Sequence, residues 1–458
     1  MMASALNVVI LAAGQGKRMY SSLPKVLHRL AGKPLVQHVI DTARQLQPQK
    51  MVIVYGHGGE QVQKQLADQP DLAWACQAEQ LGTGHALAQA VPQCVGGITL
   101  MLYGDVPLTR LTTIEALLAA STDGKVGILT DILDDATGYG RIVRNTAGQV
   151  TCIVEQKDCS VEQAKITEMN TGILALPTAR LVGWLAELKN DNAQGEYYAT
   201  DLIALAVRDG VDIATVQPLN HWEAEGINNK LQLATLERIY QGENAKTLLT
   251  AGVGLADPAR IDVRGTLTHG QDVFIDVNCI FEGQVVLGQG VSIGAHCVLK
   301  NVTIADGTVI HPFCHLEDAV VGAGSLIGPY ARLRPGAQLA AQVHIGNFVE
   351  IKKSSVALGS KINHLSYIGD AKIGAGVNVG AGTITCNYDG VNKFTTIIED
   401  NVFIGSNNCL VAPVTIGAGA TTGAGSVISK NAPAGELTIA RAKQLTVPAW
   451  TRPKKILK

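Results

Sequence analysis

The sequence predicts two domains of different fold class, an α/β domain in the first half and a parallel β-helix in the second. Three observations support this prediction. The chain has 458 residues, which is enough for two or three domains of ordinary size. Short apolar runs alternate with helical patterns in the first half, and a six-residue apolar period fills the second. We place the first domain at residues 1–228, a helical linker at 229–251, and the second domain with its C-terminal tail at 252–458.

The first half reads as alternating strands and helices. Apolar runs typical of strands lie at residues 8–11, 51–55, 98–102 and 126–129. Residues 35–46 and 114–120 carry apolar side chains at helical spacing, and residues 228–249 form one long helical pattern. This alternation predicts a largely parallel sheet, in which ligands bind at the carboxyl ends of the strands.

The second half repeats one large apolar residue every six positions. A helix repeats every ~3.6 residues and a strand every ~2, so neither explains this period. One inward-pointing aliphatic residue per six, with a small residue beside it at a corner, is typical of a parallel β-helix. The three registers are Ile275, Phe281, Leu287, Ile293 and Leu299; Val321, Ile327, Leu333, Leu339, Ile345 and Ile351; and Ile398, Ile404, Leu410 and Ile416.

The six-residue register is interrupted at residues 358–368 and again at residues 386–396. Insertions in solenoids lie on the outside of the coil, often at a binding face. We therefore expect both interruptions to be outward insertions.

Composition and charge exclude several classes of protein. Lys and Arg number 37 against 39 Asp and Glu, which argues against a nucleic-acid binder with a large basic surface. No uninterrupted apolar run approaches the ~18–20 residues of a membrane span, so we expect no membrane partner. The nine cysteines are scattered without a C-x-x-C pair. They predict reduced thiols and a cytoplasmic setting, not disulfides or a structural zinc site.

The motif LAAGQGKRMYSSLPK, residues 11–25, joins a strand to a glycine-rich loop with three cations, Lys17, Arg18 and Lys25. Free backbone N–H groups together with cations suit a di- or triphosphate. The loop is not a Walker A motif, because Arg18 follows Gly16-Lys17 where Ser or Thr is required. Nor is it a dinucleotide fingerprint, because Met19 replaces the third glycine. An ordinary strand-to-helix turn would not need three cations.

Tyr103-Gly104-Asp105 follows a predicted strand. An aspartate at the carboxyl end of a parallel strand is well placed to hold Mg²⁺, although such a residue is as often a cap or turn former. The segments at 77–84, 138–141 and 170–172 could each be plain loops.

Together these motifs carry a resemblance. LAAGQGKRM, Pro24-Lys25, QAEQLGTGHA, YGDVP, TGYGRI, NTGI, GEYYATD and GINN resemble the sugar-1-phosphate nucleotidyltransferases. The β-helix motifs ARLRPGA, NFVEIKK, HLSYIGDA, NVGAGTITCNYDG and NVFIGS resemble the acetyltransferase half of the bifunctional N-acetylglucosamine-1-phosphate uridyltransferase/glucosamine-1-phosphate acetyltransferase family. The resemblance covers about residues 6–445. It implies a Rossmann-like nucleotidyltransferase domain followed by a left-handed β-helix of hexapeptide repeats.

The resemblance implies two reactions of UDP-N-acetylglucosamine synthesis, which supplies peptidoglycan and lipopolysaccharide. Acetyl passes from acetyl-CoA to glucosamine 1-phosphate. The N-acetylglucosamine 1-phosphate so formed then receives UMP from UTP, with release of pyrophosphate. Mg²⁺ is the implied cofactor, and a homotrimer with acetyl sites shared between subunits is the implied assembly. The alternative is a sugar-1-phosphate nucleotidyltransferase whose β-helix is only an assembly or regulatory scaffold.

For uridylyl transfer, the resemblance implies that Asp105 and Asn228 hold Mg²⁺. Arg18 and Lys25 would stabilise the transferring phosphoryl group and the leaving pyrophosphate. Gln77, Gly82 and Thr83 would recognise uracil, and Gly140, Glu155 and Asn170 would hold the sugar. Lys17 departs from the family, which commonly has threonine at this position, so we expect a shifted affinity for UTP. The remaining nucleotide contacts implied are Leu11, Ala12, Ala13, Gly14, Tyr103 and Gly104.

For acetyl transfer, the resemblance implies that His364 is the general base, a task that suits an imidazole. A surface histidine at a corner of the coil is the alternative when the motif is ignored. Arg334 and Lys352 would bind the phosphate of glucosamine 1-phosphate, with Tyr367 and Asn378 completing that site. A scaffold would need none of these residues. The implied acetyl-CoA contacts are Ala381, Asn387, Tyr388, Ser406, Ala424 and Arg441.

Overall fold

The computed structural model describes residues 5–14, 16–56 and 58–455, so Gln15 of the glycine-rich motif lies outside the described residues. The chain separates into two compact units, Met1–Tyr240 and Gln241–Lys458. The division falls inside one long helix, Lys230–Thr250, which corresponds to the helical pattern at 228–249. All nine cysteines are free thiols. No helix among the described residues is both long and apolar enough to cross a bilayer.

The described residues of the first unit form eleven strands and six helices, followed by the start of a seventh helix. The strands are β1 (Leu6–Leu11), β2 (Arg29–Leu30), β3 (Lys33–Pro34), β4 (Lys50–Tyr55), β5 (Leu72–Cys76), β6 (Ile98–Tyr103), β7 (Val126–Ile132), β8 (Gly140–Arg144), β9 (Val150–Val154), β10 (Glu168–Pro177) and β11 (Ile213–Val216). The helices are α1 (Leu35–Gln45), α2 (Glu60–Gln65), α3 (Thr83–Ala90), α4 (Leu111–Ala120), α5 (Thr178–Glu187), α6 (Asp201–Arg208) and α7 (Lys230–Thr250). Single 3₁₀ turns lie at Lys17–Met19, Lys25–Leu27, Val91–Gln93, Gln163–Lys165 and His221–Ala224.

The main sheet has the order β11-β7-β10-β6-β1-β4-β5, with β8 paired to β10 and β9. β1 is parallel to β4 and β6, and β4 is parallel to β5, so four carboxyl ends share one edge. The four predicted strands are confirmed as β1, β4, β6 and β7. The prediction of a largely parallel sheet is confirmed, except that β10 runs antiparallel to both β6 and β7. The hairpin β8–β9 is also antiparallel.

Helices cover both faces of this sheet because successive residues of a strand point to opposite sides. Val9 of β1 belongs to a core that contains Leu87 of α3 and Leu181 of α5. Its neighbour Ile10 belongs to a second core that contains Val36 of α1 and Ile114 of α4. The sheet is therefore the middle layer of three.

The second unit winds its strands into successive coils. They are β12 (Gly254–Leu255), β13 (Ile261–His269), β14 (Phe274–Ile275), β15 (Cys279–Leu287), β16 (Ser292–Ile293), β17 (Val298–Ile304), β18 (Val309–Ile310), β19 (His315–Val321), β20 (Leu326–Ile327), β21 (Arg332–Leu333), β22 (Gln338–Leu339), β23 (His344–Asn347), β24 (Glu350–Lys352), β25 (Ser355–Val356), β26 (Lys361–His364), β27 (Tyr367–Gly369), β28 (Ala371–Ile373), β29 (Asn378–Val379), β30 (Ile384–Cys386), β31 (Thr396–Ile398), β32 (Phe403–Ile404), β33 (Cys409–Val411), β34 (Val414–Ile416), β35 (Thr421–Thr422), β36 (Val427–Ile428) and β37 (Leu437–Thr438). Among the described residues they form one 11-stranded and one 15-stranded sheet, in which the strands of successive coils pair in parallel.

The predicted parallel β-helix is confirmed by the position of its repeated residues. Every residue of the three predicted registers is at most 4% exposed. Ile327 pairs with Ile345, which pairs with Ile362 on the following coil. Small residues are needed beside them, because a Cβ on Gly346 would lie 2.1 Å from the Asn363 carbonyl oxygen of the next coil.

The two interruptions of the register have different structures. The expectation of an insertion at residues 358–368 is wrong, because β25, β26 and β27 continue the coils and both Val356 and Ile362 are buried. The inward step from Ile351 to Val356 spans five residues instead of six, so the six-residue register ends at Ile351 without any insertion. The second interruption does leave the coil: Tyr388 and Lys393 form an isolated antiparallel bridge, and both Tyr388 and Val391 are exposed.

Candidate active sites

The glycine-rich loop of the first unit begins where two parallel strands end. Leu11 and Tyr103 are paired as the last residues of β1 and β6. The Gly104 N–H donates to the Leu11 carbonyl over 3.0 Å, and the Ala12 N–H donates to the Val54 carbonyl over 2.8 Å. The start of the loop and the Tyr103-Gly104-Asp105 segment are thereby held at the same edge of the sheet. Ala13 and Gly14 continue from this edge, and the Gln80 side chain donates to the Ala13 carbonyl.

Four predicted residues meet beside this loop. The Lys25 ammonium contacts the Asp105 carboxylate and donates to Asn228 Oδ1 over 3.1 Å. Arg18 Nη2 donates to the same Asn228 oxygen over 2.9 Å. Lys25 and Asp105 are only 14% and 15% exposed, so this ion pair is partly shielded from water. The open cleft here has a volume of about 370 Å³ and is lined by Gly16, Lys17, Arg18, Lys25, Gln80, Glu196 and Asn228.

Asp105 and Asn228 fit a Mg²⁺ site by their chemistry and by their placement. A carboxylate and an amide oxygen converge here on a single cationic atom, Lys25 Nζ. Mg²⁺ prefers hard oxygen ligands and usually takes one or two from protein, with the rest from water and phosphate. The described residues include no cluster of three or more His, Cys, Asp or Glu suited to a metal ion, which is consistent with such a sparse set. The Ile227 N–H donates to the Asp105 carbonyl over 2.9 Å, which holds the Asn228 segment beside Asp105.

The predicted sugar contacts lie together around β8, β9 and β10. Asn170 of β10 pairs with Gly140 of β8, and a Cβ on Gly140 would lie 3.4 Å from Glu155 Oε1. The Thr200 hydroxyl donates to this Glu155 oxygen over 3.0 Å, and burial raises the pKa of the Glu155 carboxyl. Asn170 Oδ1 accepts the Gly172 N–H over 3.0 Å. The arrangement offers a carboxylate and an amide to a polyhydroxyl ligand.

The three residues expected to recognise the uracil base form another compact group. Gln77 follows β5 and is 3% exposed, with its side-chain Nε2 donating to the Gly82 carbonyl over 3.0 Å. Gly82 has φ +109° and could not carry a Cβ, which would lie 2.5 Å from the Tyr197 carbonyl oxygen. The Thr83 hydroxyl accepts the Ala199 N–H over 3.0 Å.

In the second unit, a column of charged residues on successive coils ends in two cations. From β13 to β24 the side-chain charges alternate in sign until the last two residues, which are both positive. The order is Arg264, Glu282, Lys300, Glu317, Arg334 and Lys352. Arg334 Nη1 donates to Glu350 Oε1 over 2.7 Å. Among the described residues, no carboxylate lies within ion-pair distance of Lys352. Two adjacent cations with a carboxylate on only one of them leave positive charge that suits a phosphate.

His364 is the first residue of a second column, which runs along one corner of successive coils. It ends β26, is exposed, and its ring makes no hydrogen bond to any described residue. Its carbonyl accepts the Gly382 N–H, while the Ala381 and Ser406 carbonyls accept the Asn407 and Gly425 N–H groups. Successive coils therefore carry His364, Ala381, Ser406 and Ala424 at the same corner. Arg441 joins this column because its Nη1 donates to the Ala424 carbonyl over 2.8 Å.

The remaining acetyl-site residues flank this corner. Tyr367 begins β27 just beyond His364, and it pairs with Glu350 of β24. Asn378 begins β29 and pairs with Lys361 of β26. Asn387 is buried, with its amide nitrogen on the Asp370 carboxylate, whereas Tyr388 is exposed on the insertion.

Sequence reasoning missed several residues of both sites. Gln80 and Glu196 line the cleft beside the glycine-rich loop, and Asp370 anchors Asn387. His85 lies 3.2 Å from the Gln77 amide nitrogen. All four fall within motifs that carried the resemblance, and that is the only signal that could have found them, because no spacing rule joins them to their partners.

Different family models match the first and the second half of the chain. The MobA-like NTP transferase domain matches residues 8–157. The GMPPB C-terminal domain matches residues 263–344, and the bacterial transferase hexapeptide (six repeats) matches residues 395–430. A solved nucleotidyl transferase from Methanothermobacter thermautotroptrophicus covers 52% of this chain and 97% of its own, at 19% identity and a TM-score of 0.38, which is too distant to bear on the fold.

Full-length relatives are much more similar. The "Bifunctional protein GlmU" of Chromobacterium violaceum is 63% identical over 452 residues, covering 98% of this chain and 99% of its own. Its namesake from Dechloromonas aromatica is 62% identical and covers 99% of this chain and 100% of its own. That of Ralstonia pickettii is 60% identical and covers 98% and 99%. At this identity over nearly the whole length, the chain belongs to the family of bifunctional GlmU proteins.

Proposed function

We infer that this chain catalyses two steps of UDP-N-acetylglucosamine synthesis. It acetylates glucosamine 1-phosphate with acetyl-CoA and transfers UMP from UTP to N-acetylglucosamine 1-phosphate. Membership of the bifunctional family over the full length supports both activities. The observation that carries the first site is the convergence of Arg18, Lys25, Asp105 and Asn228 beside the glycine-rich loop.

Uridylyl transfer at this site is a matter of positioning and charge neutralisation. A phosphate oxygen of the sugar phosphate attacks the α-phosphorus of UTP, and the bond to the bridging oxygen breaks to release pyrophosphate. Arg18 and Lys25 neutralise charge that moves onto the leaving group. Glu155 and Asn170 orient the sugar. Mg²⁺ held by Asp105 and Asn228 would neutralise the phosphates of the nucleotide.

Acetyl transfer requires the amine of glucosamine 1-phosphate in its neutral form. His364 takes a proton from the ammonium, and the amine nitrogen attacks the thioester carbonyl. The carbon–sulfur bond then breaks, the nitrogen gives up its second proton to the sulfur, and CoA leaves as the thiol. Arg334 and Lys352 hold the phosphate and so fix the position of the amine. His364 suits the role because its ring is exposed and has no hydrogen-bond partner among the described residues that would occupy its lone pair.

A homotrimer with shared acetyl sites is the assembly we propose. Stacked rings run along one corner of the coil, with centroids 4.9 Å apart for His296–Phe313 and Phe313–Tyr330, and 5.4 Å apart for Tyr330–Phe348. Leu365, next to His364, continues this stripe, and all but His296 are large apolar side chains that are exposed. A second copy of the chain would bury them. Light scattering should give a trimer, and Phe348→Asp should yield smaller species that lose acetyl transfer; a monomer that keeps it would contradict shared sites.

The acetyl-site assignment is tested by CoA release from acetyl-CoA, with and without glucosamine 1-phosphate. Wild type should release CoA only with the amine present, and His364→Ala should lose at least ~100-fold of that rate. His344→Ala, at another outward histidine of the same sheet, is the matched control. No release from a wild type that still makes UDP-sugar would favour the alternative in which the β-helix is a scaffold.

A further inference from the structure

Three side chains form a row behind the expected base site. Gln77 Nε2 lies 3.2 Å from His85 Nδ1, and Gln89 lies 3.2 Å from the other ring nitrogen, Nε2. His85 and Gln89 are one turn apart on α3 and both are half-buried, whereas Gln77 is 3% exposed. The same Gln77 nitrogen lies 3.0 Å from the Gly82 carbonyl. The row therefore joins a buried amide to a more exposed one through an imidazole.

The Gly82 carbonyl fixes which way the Gln77 amide faces. A carbonyl oxygen only accepts hydrogen bonds, so the Gln77 group beside it must be the NH₂ group. One N–H of that group donates to Gly82, and the other is directed to His85 Nδ1. Nδ1 must then be an acceptor, so the neutral ring carries its proton on Nε2.

The opposite end of the row adjusts to this arrangement. A protonated His85 Nε2 needs an acceptor, so the Gln89 amide presents its oxygen to the ring. Gln89 gives up a bond of 3.3 Å from its nitrogen to the His85 carbonyl, which is long for a hydrogen bond. Turning the Gln77 amide instead would place its oxygen against the Gly82 carbonyl oxygen in a buried site. This would cost more free energy than losing the long hydrogen bond of the half-buried Gln89.

This arrangement leaves Gln77 Oε1 as a free acceptor. No described residue donates to this oxygen. It also does not belong to the fully buried polar atoms without a partner, so a ligand can reach it. Uracil presents an N–H donor at N3, whereas cytosine presents an acceptor at N3 and an amino donor at position 4. An acceptor held in place matches uracil, and an amide turned by half a turn would match the cytosine N3.

We propose that His85 determines base specificity by holding the Gln77 amide in the orientation that accepts from uracil N3. His85 touches no substrate in this role and is a positioning residue. The proposal rests on the proposed uridylyl transfer with Gln77 at the base. It adds His85 as the second contact that, together with the Gly82 carbonyl, keeps the Gln77 amide in one orientation, and it predicts discrimination against cytosine nucleotides.

Three variants of His85 test the proposal in the full-length protein, with kcat/KM measured for UTP and for CTP. His85→Leu removes the acceptor, and the UTP/CTP ratio should fall at least about tenfold, mainly through a higher KM for UTP. His85→Asn can place an amide oxygen near the position of Nδ1 and should keep the ratio within about threefold of wild type. His85→Gln reaches the position of Nε2 and should behave like His85→Leu, which keeps the test available if the leucine variant fails to fold.

Acetyl transfer in the same preparations reports whether the protein is folded. An equal loss of rate on UTP and CTP in His85→Leu, with the ratio unchanged, would overturn the proposal and leave His85 a structural residue. Gln77→Leu distinguishes a failure of the proposed base site from a failure of the role proposed for His85. If this variant also keeps the wild-type ratio, Gln77 is not at the base and the proposed use of this site fails; if it loses the ratio while His85→Leu keeps it, only the role of His85 fails.

Discussion

Lys17 brings a third cation to the cleft beside the glycine-rich loop, where we propose that UTP binds. It lines this cleft with Arg18 and Lys25, although its own side chain is exposed. Exposed charges interact weakly with a ligand and are screened by salt. We therefore expect Lys17 to tune nucleotide affinity, whereas the more buried Lys25 has a fixed place between Asp105 and Asn228.

Lys17→Thr, which restores the residue common in the family, should raise the KM for UTP about two- to fivefold at low ionic strength and leave kcat nearly unchanged. The difference from wild type should shrink as salt is added. Lys64→Thr, at an exposed lysine of α2, is the control. A fall in kcat of the same size as the rise in KM would instead indicate a role in the transition state.

Glu155 connects the sugar site to the stability of the first unit. Burial raises the pKa of its carboxyl above the ordinary value of 4.5, so the native state disfavours the ionised form. The wild type therefore loses stability as pH rises from about 4.5 through the pKa of the folded state.

Glu155→Gln should raise the Tm of the chain above that window and match wild type below pH 4.5, because glutamine does not ionise and its Oε1 can still accept from Thr200. Thermal unfolding at pH 4 and pH 8 checks this. A Tm difference that is the same at both values would attribute the effect to packing and not to ionisation.

At the scale of the coil, glycines after the inward residues set how closely successive turns approach. Gly346→Ala would bring a methyl group to 2.1 Å from the Asn363 carbonyl oxygen, a backbone atom that cannot move without displacing the next coil. Such overpacking should lower the free energy of unfolding of the second unit by about 3 kcal/mol. Urea unfolding measures it, with Gly242→Ala in α7 as control, where no neighbouring atom lies within 4 Å and alanine should stabilise by about 0.5–1 kcal/mol. Equal effects of the two substitutions would contradict this account.

Elements defined by local pattern were predictable from the sequence, and those defined by distant pairing were not. The six-residue period identified every inward residue of its three registers, because one side chain per face is a local property. The reversal of β10 between β6 and β7 depends on partners far along the chain. The period alone does not separate the five-residue step before Val356 from an insertion, since either one takes the apolar residues out of the six-residue register.

The candidate sites divide in the same way. Lys25 and Asp105 could be proposed from a strand end, a glycine loop and the chemistry of phosphates. Asn228 and the column from His364 to Arg441 came only from the resemblance, because tertiary pairing alone brings them together. His85 stayed hidden, because its function depends on which of its ring nitrogens is protonated and not on its place in a motif.

At the scale of the whole molecule, the residues that we propose for the two reactions lie in two separate units. Lys25, Asp105 and Asn228 lie in Met1–Tyr240, and Arg334, Lys352 and His364 lie in Gln241–Lys458. Each unit has hydrophobic cores of its own. The division between the two units, at residues 240 and 241, lies within α7. The domain boundaries at 228/229 and 251/252, which treat this helix as a separate linker, remain a prediction.

Asp105→Ala should therefore abolish uridylyl transfer and leave acetyl transfer intact. The substitution removes a carboxylate that neutralises Lys25 and would ligate Mg²⁺, so the loss should be at least ~100-fold, a barrier increase of about 2.7 kcal/mol or more. Asp68→Ala, at an exposed aspartate of the same unit, is the matched control. Both activities are measured on one preparation, with acetyl transfer followed by CoA release and uridylyl transfer by pyrophosphate release. Loss of both in a folded protein would mean that the activities share machinery, whereas loss of uridylyl transfer alone, opposite to His364→Ala, is what two independent sites require.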